Sequence, residues 1–214
     1  MSRLKKEINE LGKRLVRCNL KCEGVNNNPK QGIIPRCLVL AEGKGKGCVI
    51  VGINPGRIGK SKKGDSERKA GREGNYKVWL DWFRKRFNPD KNDYKGKYYG
   101  PLARMVRKLG LKGPILWTEL VKCQNASDKK PTVQTFRVCI KKYLLKEIEL
   151  TPKSWPIIAV SKKAFDILPY LFPSRIVIGV PHPASYGYFK KVLDKNIRPR
   201  RLLKNGLATW IGVK

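Results

Sequence analysis

"CVIVGINPGRIGKSKKG" (residues 48–64) opens as an apolar run, breaks at a glycine–proline turn and continues as a basic, glycine-spaced stretch. Two readings compete for it. Gly59-Lys60-Ser61 has the form that closes a phosphate-binding loop, where a glycine-rich backbone wraps phosphates and a lysine reaches them. Gly52-Ile53-Asn54-Pro55-Gly56 has instead the form of a strand-end turn that presents one asparagine to a pocket. The phosphate loop needs a glycine where this chain has Asn54, and Pro55 lacks one of the N–H groups such a loop would use. No later strand ends in the acidic residue expected to hold magnesium, apart from "ILWTE" at 115–119. A P-loop-like nucleotidase is therefore the secondary reading.

Working outward, the chain alternates short β-rich apolar runs with helical patterns. The N-terminal "MSRLKKEINELGKRLVRC" reads as an amphipathic helix with Leu4, Ile8, Leu11 and Leu15 on one face. Strands are expected in "RCLVLAE" (36–42), "CVIVGI" (48–53), "PILWTELV" (114–121), "PIIAV" (156–160) and "RIVIGV" (175–180). Helices are expected in "YKVWLDWFRKRF" (76–87, with Val78, Trp82 and Phe83 inward), "PLARMVRKLG" (101–110), "TVQTFRVCIKKYLLKEIEL" (132–150) and "SKKAFDILPYLF" (161–172). The stretch 57–75 lacks periodicity and reads as a mobile loop. Such alternation predicts one α/β domain on a parallel sheet covered on both faces. Functional residues should follow the carboxyl ends of its strands.

The charge narrows the partner. Forty-eight Lys and Arg stand against 16 Asp and Glu, a formal net charge of +32. Such an excess repels itself unless a polyanion is near, which makes nucleic acid the expected partner. No run of about 18 apolar residues predicts a membrane span, and the N-terminus lacks the apolar centre of a secretory signal. The expectation is a cytoplasmic protein kept with the DNA, without a membrane partner. Six cysteines in such a setting suggest metal or cluster ligation, or plain burial, which suits Cys37 and Cys48 within apolar strands.

Two strand-end loops carry the chemistry. One offers Asn54; the other, "VPHPAS", offers His182, the only histidine, held between two prolines. GINPG at 52–56 is similar to the first active-site motif of the mismatch-specific uracil/thymine branch of the uracil-DNA glycosylase superfamily. His182-Pro183-Ala184 is similar to that superfamily's second motif in the form its iron–sulfur branch carries. The likeness extends to "VKCQNASDKKPTVQTFRVC", where Pro131 stands eight residues and Cys139 sixteen residues after Cys123, as in the iron–sulfur branch. Cys18 and Cys22 occupy the place of that branch's N-terminal cysteine pair, spaced C-x3-C where C-x2-C is usual. The motifs run in order from about residue 10 to 190.

What the resemblance implies is a three-layer α/β/α sandwich on a four-stranded parallel sheet, spanning the chain as one domain with residues 1–24 packed on it. It implies a monofunctional DNA glycosylase that hydrolyses the N-glycosidic bond of a deaminated or damaged base, uracil first, in base excision repair of duplex or single-stranded DNA. Asn54 would orient the attacking water and His182 would hydrogen-bond the departing base. Gly52, Ile53, Tyr76, Glu119 and Ser185 would surround the base, with Tyr76 stacking on it. Lys60, Ser61, Lys62 and Lys63 would grip phosphate, and Tyr186 or Tyr188 would wedge into the gap left by flipping. Cys18, Cys22, Cys123 and Cys139 would hold a [4Fe–4S] cluster, with zinc the alternative occupant, in a monomeric protein. The iron–sulfur branch has asparagine where this chain has Glu119. An ionised carboxylate answers only the N–H of uracil's edge, so Glu119 must be protonated, aimed elsewhere or matched to another base. A non-catalytic nucleic-acid-binding protein retaining fold and cluster is the other reading.

Overall fold

The structure, a computed structural model, describes residues 2–36, 38–59, 61–88, 96–127, 129–194 and 208–211. Its chain is α/β and forms two compact units, each assembled from three separate stretches. One comprises 1–39, 54–86 and 118–151; the other comprises 40–53, 87–117 and 152–214.

The second unit carries the main sheet except for Val39, Thr118 and Glu119, which fall in the first. Its strands are β2 (Val39–Ala41), β3 (Cys48–Gly52), β4 (Ile115–Glu119), β6 (Ile157–Val160), β7 (Val177–Val180) and β8 (Ala208–Trp210), in the order β2-β4-β3-β6-β7-β8. The neighbours β3, β6, β7 and β8 are parallel, with Ile50 beside Ile158 and Ile158 beside Ile178. Residues of β3, β6 and β7 are buried throughout, as expected of parallel strands closed off on both faces. Helix α7 (Lys162–Leu171) packs on β6 and β7. Gly179 permits this packing, because a Cβ there would lie 2.4 Å from the Trp210 ring and 2.5 Å from the Phe165 ring. Helices α4 (Tyr99–Lys108) and α8 (Tyr186–Asp194) complete this unit. The sheet has six strands among the described residues where four were expected. The short C-terminal "ATW" gave no period to read, and pairing with β7 makes it a strand.

The first unit is mainly helical. Helix α1 (Ser2–Val16) buries Ile8, Leu11 and Leu15, the face its sequence foretold. Helix α2 (Lys62–Arg72) replaces the expected mobile loop. Ser61 caps it, its Oγ accepting from Gly64 N, and Ala70 and Gly71 are buried. Its sequence conceals this because tertiary contact, rather than an apolar stripe, holds it. In α3 (Tyr76–Phe87) the inward residues are Tyr76, Trp79, Leu80 and Phe83. Phe83 matches expectation, whereas Val78 is exposed and Trp82 is half-buried, donating to Ser66 Oγ at 2.5 Å. The predicted helix over 132–150 is one helical run in three parts: α5 (Val133–Cys139), a π-helical turn (Ile140–Leu144) and α6 (Leu145–Glu149). A two-stranded antiparallel ladder joins β1 (Val25–Asn26) to β5 (Gln124–Asn125). Among the described residues no helix is long and apolar enough to cross a membrane.

Candidate functional site

Asn54 lies in the helical unit, two residues beyond the end of β3. It is half-buried, and its side-chain Nδ2 donates to Asn125 Oδ1 at 2.8 Å, with longer contacts to Pro55 O and Cys123 O at 3.4 and 3.5 Å. All three acceptors engage the nitrogen, so the amide is oriented with its oxygen left to accept from a solvent molecule. The turn itself is pinned from the same side. Gln124 Oε1 accepts from Ile58 N at 3.0 Å and from Arg36 Nη1 at 3.2 Å, while Arg36 Nη2 donates to the carbonyl of Gly56.

These bonds bear on the phosphate-loop reading. Ile58 N–H is committed to Gln124, and the amides of Gly64 and Asp65 are committed to Ser61. Pro55 has none to give. These three donors and Pro55 are thus not available to cradle a nucleotide phosphate, which counts against that reading. Of the phosphate-gripping residues, Ser61 is a helix cap and Lys62 and Lys63 are exposed in the first turn of α2. Lys60 lies outside the described residues, as does Cys37.

His182 belongs to the sheet unit, just past β7. β3 and β7 are parallel with β6 between them, so Gly52 and Val180 end at the same edge of the sheet. Gly52 is buried and Ile53 half-buried. The imidazole of His182 is exposed, yet it is packed enough that desolvation lowers its pKa. Its Nδ1 accepts the backbone N–H of Ala184 at 3.1 Å. An accepting Nδ1 puts the proton of the neutral ring on Nε2, which becomes a donor. Prolines on both sides are buried, and the His182 carbonyl accepts Ser185 N at 2.9 Å. Ser185 is exposed and accepts Phe189 N through its carbonyl as α8 begins. The side chains of Tyr186 and Tyr188 lie outside the described residues.

Tyr76 is not a stacking residue. It is buried to 3% exposure, its hydroxyl donates to Leu38 O at 2.7 Å, and its ring fills the space left by Gly12 of α1. Burial pushes its phenol pKa up. Loop-and-motif reasoning placed it near a pocket; the inward face of α3 takes it into the core. Tyr76→Phe is accordingly expected to cost about 1 kcal/mol in denaturant unfolding, through one lost buried hydrogen bond. It should leave any DNA-directed activity unchanged.

The half-buried aromatic beside a candidate residue is Tyr98, whose ring lies 5.3 Å from that of His182 at 43°. Tyr98 meets Tyr99 edge-on at 5.2 Å, and Tyr99 meets Trp117 of β4 and Phe87 at 5.1 and 4.6 Å. The run "YYG" in a Lys- and Tyr-rich connection was the available signal, and it could not by itself name the residue it would meet. Gln124, Asn125 and Arg36 were missed likewise, although "CQN" sets two amides directly after Cys123.

The four candidate ligand cysteines all fall in the helical unit. The β1–β5 ladder brings their segments together, Val25 facing Asn125 and Asn26 facing Gln124, while Asn27 Nδ2 donates to Cys18 O at 2.6 Å. Thr135 of α5 donates to Glu23 O at 2.7 Å, tying the helix that ends in Cys139 to the segment of Cys22. The thiols interact electrostatically: burial and the neighbouring cysteines raise the pKa of Cys22, Cys123 and Cys139. Lys142 opposes this at Cys22, Arg36 at Cys123, and the Lys122 backbone N–H at Cys139. Tyr143, on the π-helical turn, has its phenol pKa pushed up by burial and by Cys18. Desolvated thiols that repel one another's charged forms are held in the protonated state. Among the described residues no three His, Cys, Asp or Glu are grouped so as to hold a single metal ion. Beside Cys18 and Tyr143, a cavity of about 320 Å³ is lined by Arg14, Arg17, Lys142 and Lys146, with no acidic residue.

Glu119 ends β4 and is 6% exposed. Its Oε2 has no hydrogen-bond partner, and burial pushes its carboxyl pKa up to about 8 against the opposing fields of Lys122 and Arg36. Next to it lies a buried ion pair. Lys122 Nζ contacts Glu147 Oε2 at 2.6 Å, Glu119 O at 2.7 Å and the Thr118 hydroxyl, and Thr118 donates to Glu147 at 2.5 Å.

No protein-family model matches this chain, and no curated protein matches it.

Proposed function

We propose that the protein is a monofunctional DNA glycosylase that hydrolyses the N-glycosidic bond of a deaminated base, with uracil the first substrate to test. The observation that carries this reading is the fixed tautomer of His182, whose Nδ1 accepts Ala184 N–H and whose Nε2–H is therefore a neutral donor. A neutral donor suits an oxygen on which negative charge develops as a pyrimidine leaves, because the bond strengthens as that charge grows. Asn54 supports the reading from the other motif. Its amide nitrogen is engaged, which leaves an acceptor oxygen to hold a water without acting as a strong base. Such chemistry relies on a base that leaves readily as an anion, which uracil does.

In this reading the parallel strands β3, β6, β7 and β8 form the core of a three-layer sandwich. Cys18, Cys22, Cys123 and Cys139 would hold a [4Fe–4S] cluster, which would supply structural cross-linking and no redox step. The net charge of +32 and the cationic cavity beside Cys18 fit a polyanionic partner. Tyr98, whose ring lies 5.3 Å from that of His182, would be the aromatic next to the base in place of the buried Tyr76.

The test is excision from duplex and single-stranded oligonucleotides carrying uracil, hypoxanthine or xanthine, followed by alkaline cleavage of abasic sites. His182→Ala is expected to slow single-turnover excision about 10²–10³-fold, the cost of one donor to a developing anion. DNA affinity should change less than about threefold, since phosphate contacts dominate it. Absence of scission on every substrate, with DNA binding intact, would replace the enzyme by a nucleic-acid-binding protein.

A further inference from the structure

Glu119 is a buried carboxyl that neither the fold nor the proposed chemistry yet employs. Two cations, Lys122 and Arg36, act on it, and each is already paired with another carboxylate. Lys122, from the bend after β4, is held by Glu147 of α6 at 2.6 Å. Arg36, from the segment before β2, is held by Glu67 of α2 at 3.0 Å. Two cations thus serve two carboxylates, and Glu119 is the third carboxyl, without a counterion of its own. Its Oε2 has no partner, which is costly for a buried polar atom unless a ligand completes it. Arg36, whose charge acts on Glu119, also donates to the carbonyl of Gly56 in the Asn54 turn.

We infer that Glu119 works as an un-ionised carboxylic acid that pairs through one O–H and one C=O with a base edge offering one C=O beside one N–H. That edge belongs to the lactam bases, uracil and hypoxanthine among them. Guanine carries the same pair and adds a second N–H, so its two adjacent N–H donors would match an ionised carboxylate instead. The inference rests on the glycosylase reading for its setting. It replaces the amide expected at this position by an acid that supplies the same donor and acceptor. The acid differs from an amide in one respect: it can ionise. Loss of its proton would set a carboxylate against the carbonyl of the base and abolish the pairing.

The pH window follows from the direction of the shift. The folded carboxyl is raised from 4.5 to about 8, so protonation favours the native state. The associated stability is full below the ordinary value, is lost as pH rises toward about 8, and changes no further above it.

The experiment measures fluorescence-anisotropy affinity for a duplex bearing uncleavable 2′-fluoro-deoxyuridine and for the undamaged duplex, from pH 6 to 9.5, with wild type and Glu119→Gln. Wild type should prefer the uracil duplex at least about tenfold at pH 6–7, as one two-point base contact predicts, and lose that preference above pH 8.5. Glu119→Gln should keep it throughout. Excision on cleavable uracil is followed in parallel, and should fall about tenfold per pH unit above the carboxyl's pKa only in wild type. A wild-type preference that is absent, or unaffected by pH, overturns the inference, as does a Gln variant that loses the preference in step with wild type. Intact, pH-dependent preference without excision would instead reject the glycosylase while leaving the edge reading standing. The wild-type profile decides the matter even if the variant does not fold.

Discussion

Asn54→Ala is expected to reduce single-turnover excision of uracil by about 10²-fold or more, the scale on which misplacing a reactant lowers rate. DNA affinity should remain within about threefold of wild type, because salt-sensitive phosphate contacts made elsewhere dominate it. The more telling variant is Asn54→Asp. A residue serving as general base would tolerate a carboxylate, or improve with one. Here Nδ2 donates to Asn125 Oδ1 and approaches the carbonyls of Pro55 and Cys123. An aspartate would turn an acceptor toward those acceptors, and the side chain would rotate away or take up a proton. The Asp variant should therefore lose activity much as the Ala variant does. Asn125→Ala should produce a smaller loss of kcat with little change in KM, since it frees the amide without removing it. Full activity in Asn54→Asp would refute the water-orienting role.

Lys122→Met is expected to destabilise the protein by about 3–5 kcal/mol in denaturant unfolding, the usual cost of breaking a buried pair by removing one partner. Lys122 is 1% exposed, and Glu147, its partner at 2.6 Å, is fully buried. Without the ammonium, Glu147 keeps one oxygen with no partner and the other with only Thr118, inside a closed interior. The double variant Lys122→Met/Glu147→Leu should recover most of the loss, because the penalty arises from the stranded charge more than from the missing attraction. Since Lys122 Nζ also holds the carbonyl of Glu119, the single variant should loosen the end of β4 as well. An unchanged denaturation midpoint in Lys122→Met would show that the pair is not buried as described.

The parallel strands and the turns after them were legible because both are local patterns. "CVIV", "IIAV" and "VIGV" are apolar without alternation, and each ends in glycine, proline or serine. That pattern alone puts Asn54 and His182 beyond strand ends. The face of α1 was legible for the same reason, a 3.6-residue period carried in one short stretch. Helix α2 was not, since it carries no apolar stripe and depends on a cap and on buried small residues.

Sequence alone determined which residue types follow which strands and that the chain is strongly basic. Tertiary structure decided that Tyr76 belongs to the core and Tyr98 lies beside His182. It also decided that the amide of Ile58 is already spent, and that Glu119 lacks a counterion while Lys122 has one. Those outcomes depend on hydrogen bonds and ion pairs between residues tens of positions apart. Propensity and period act over a few residues, whereas the protonation of a buried group is set by everything packed around it.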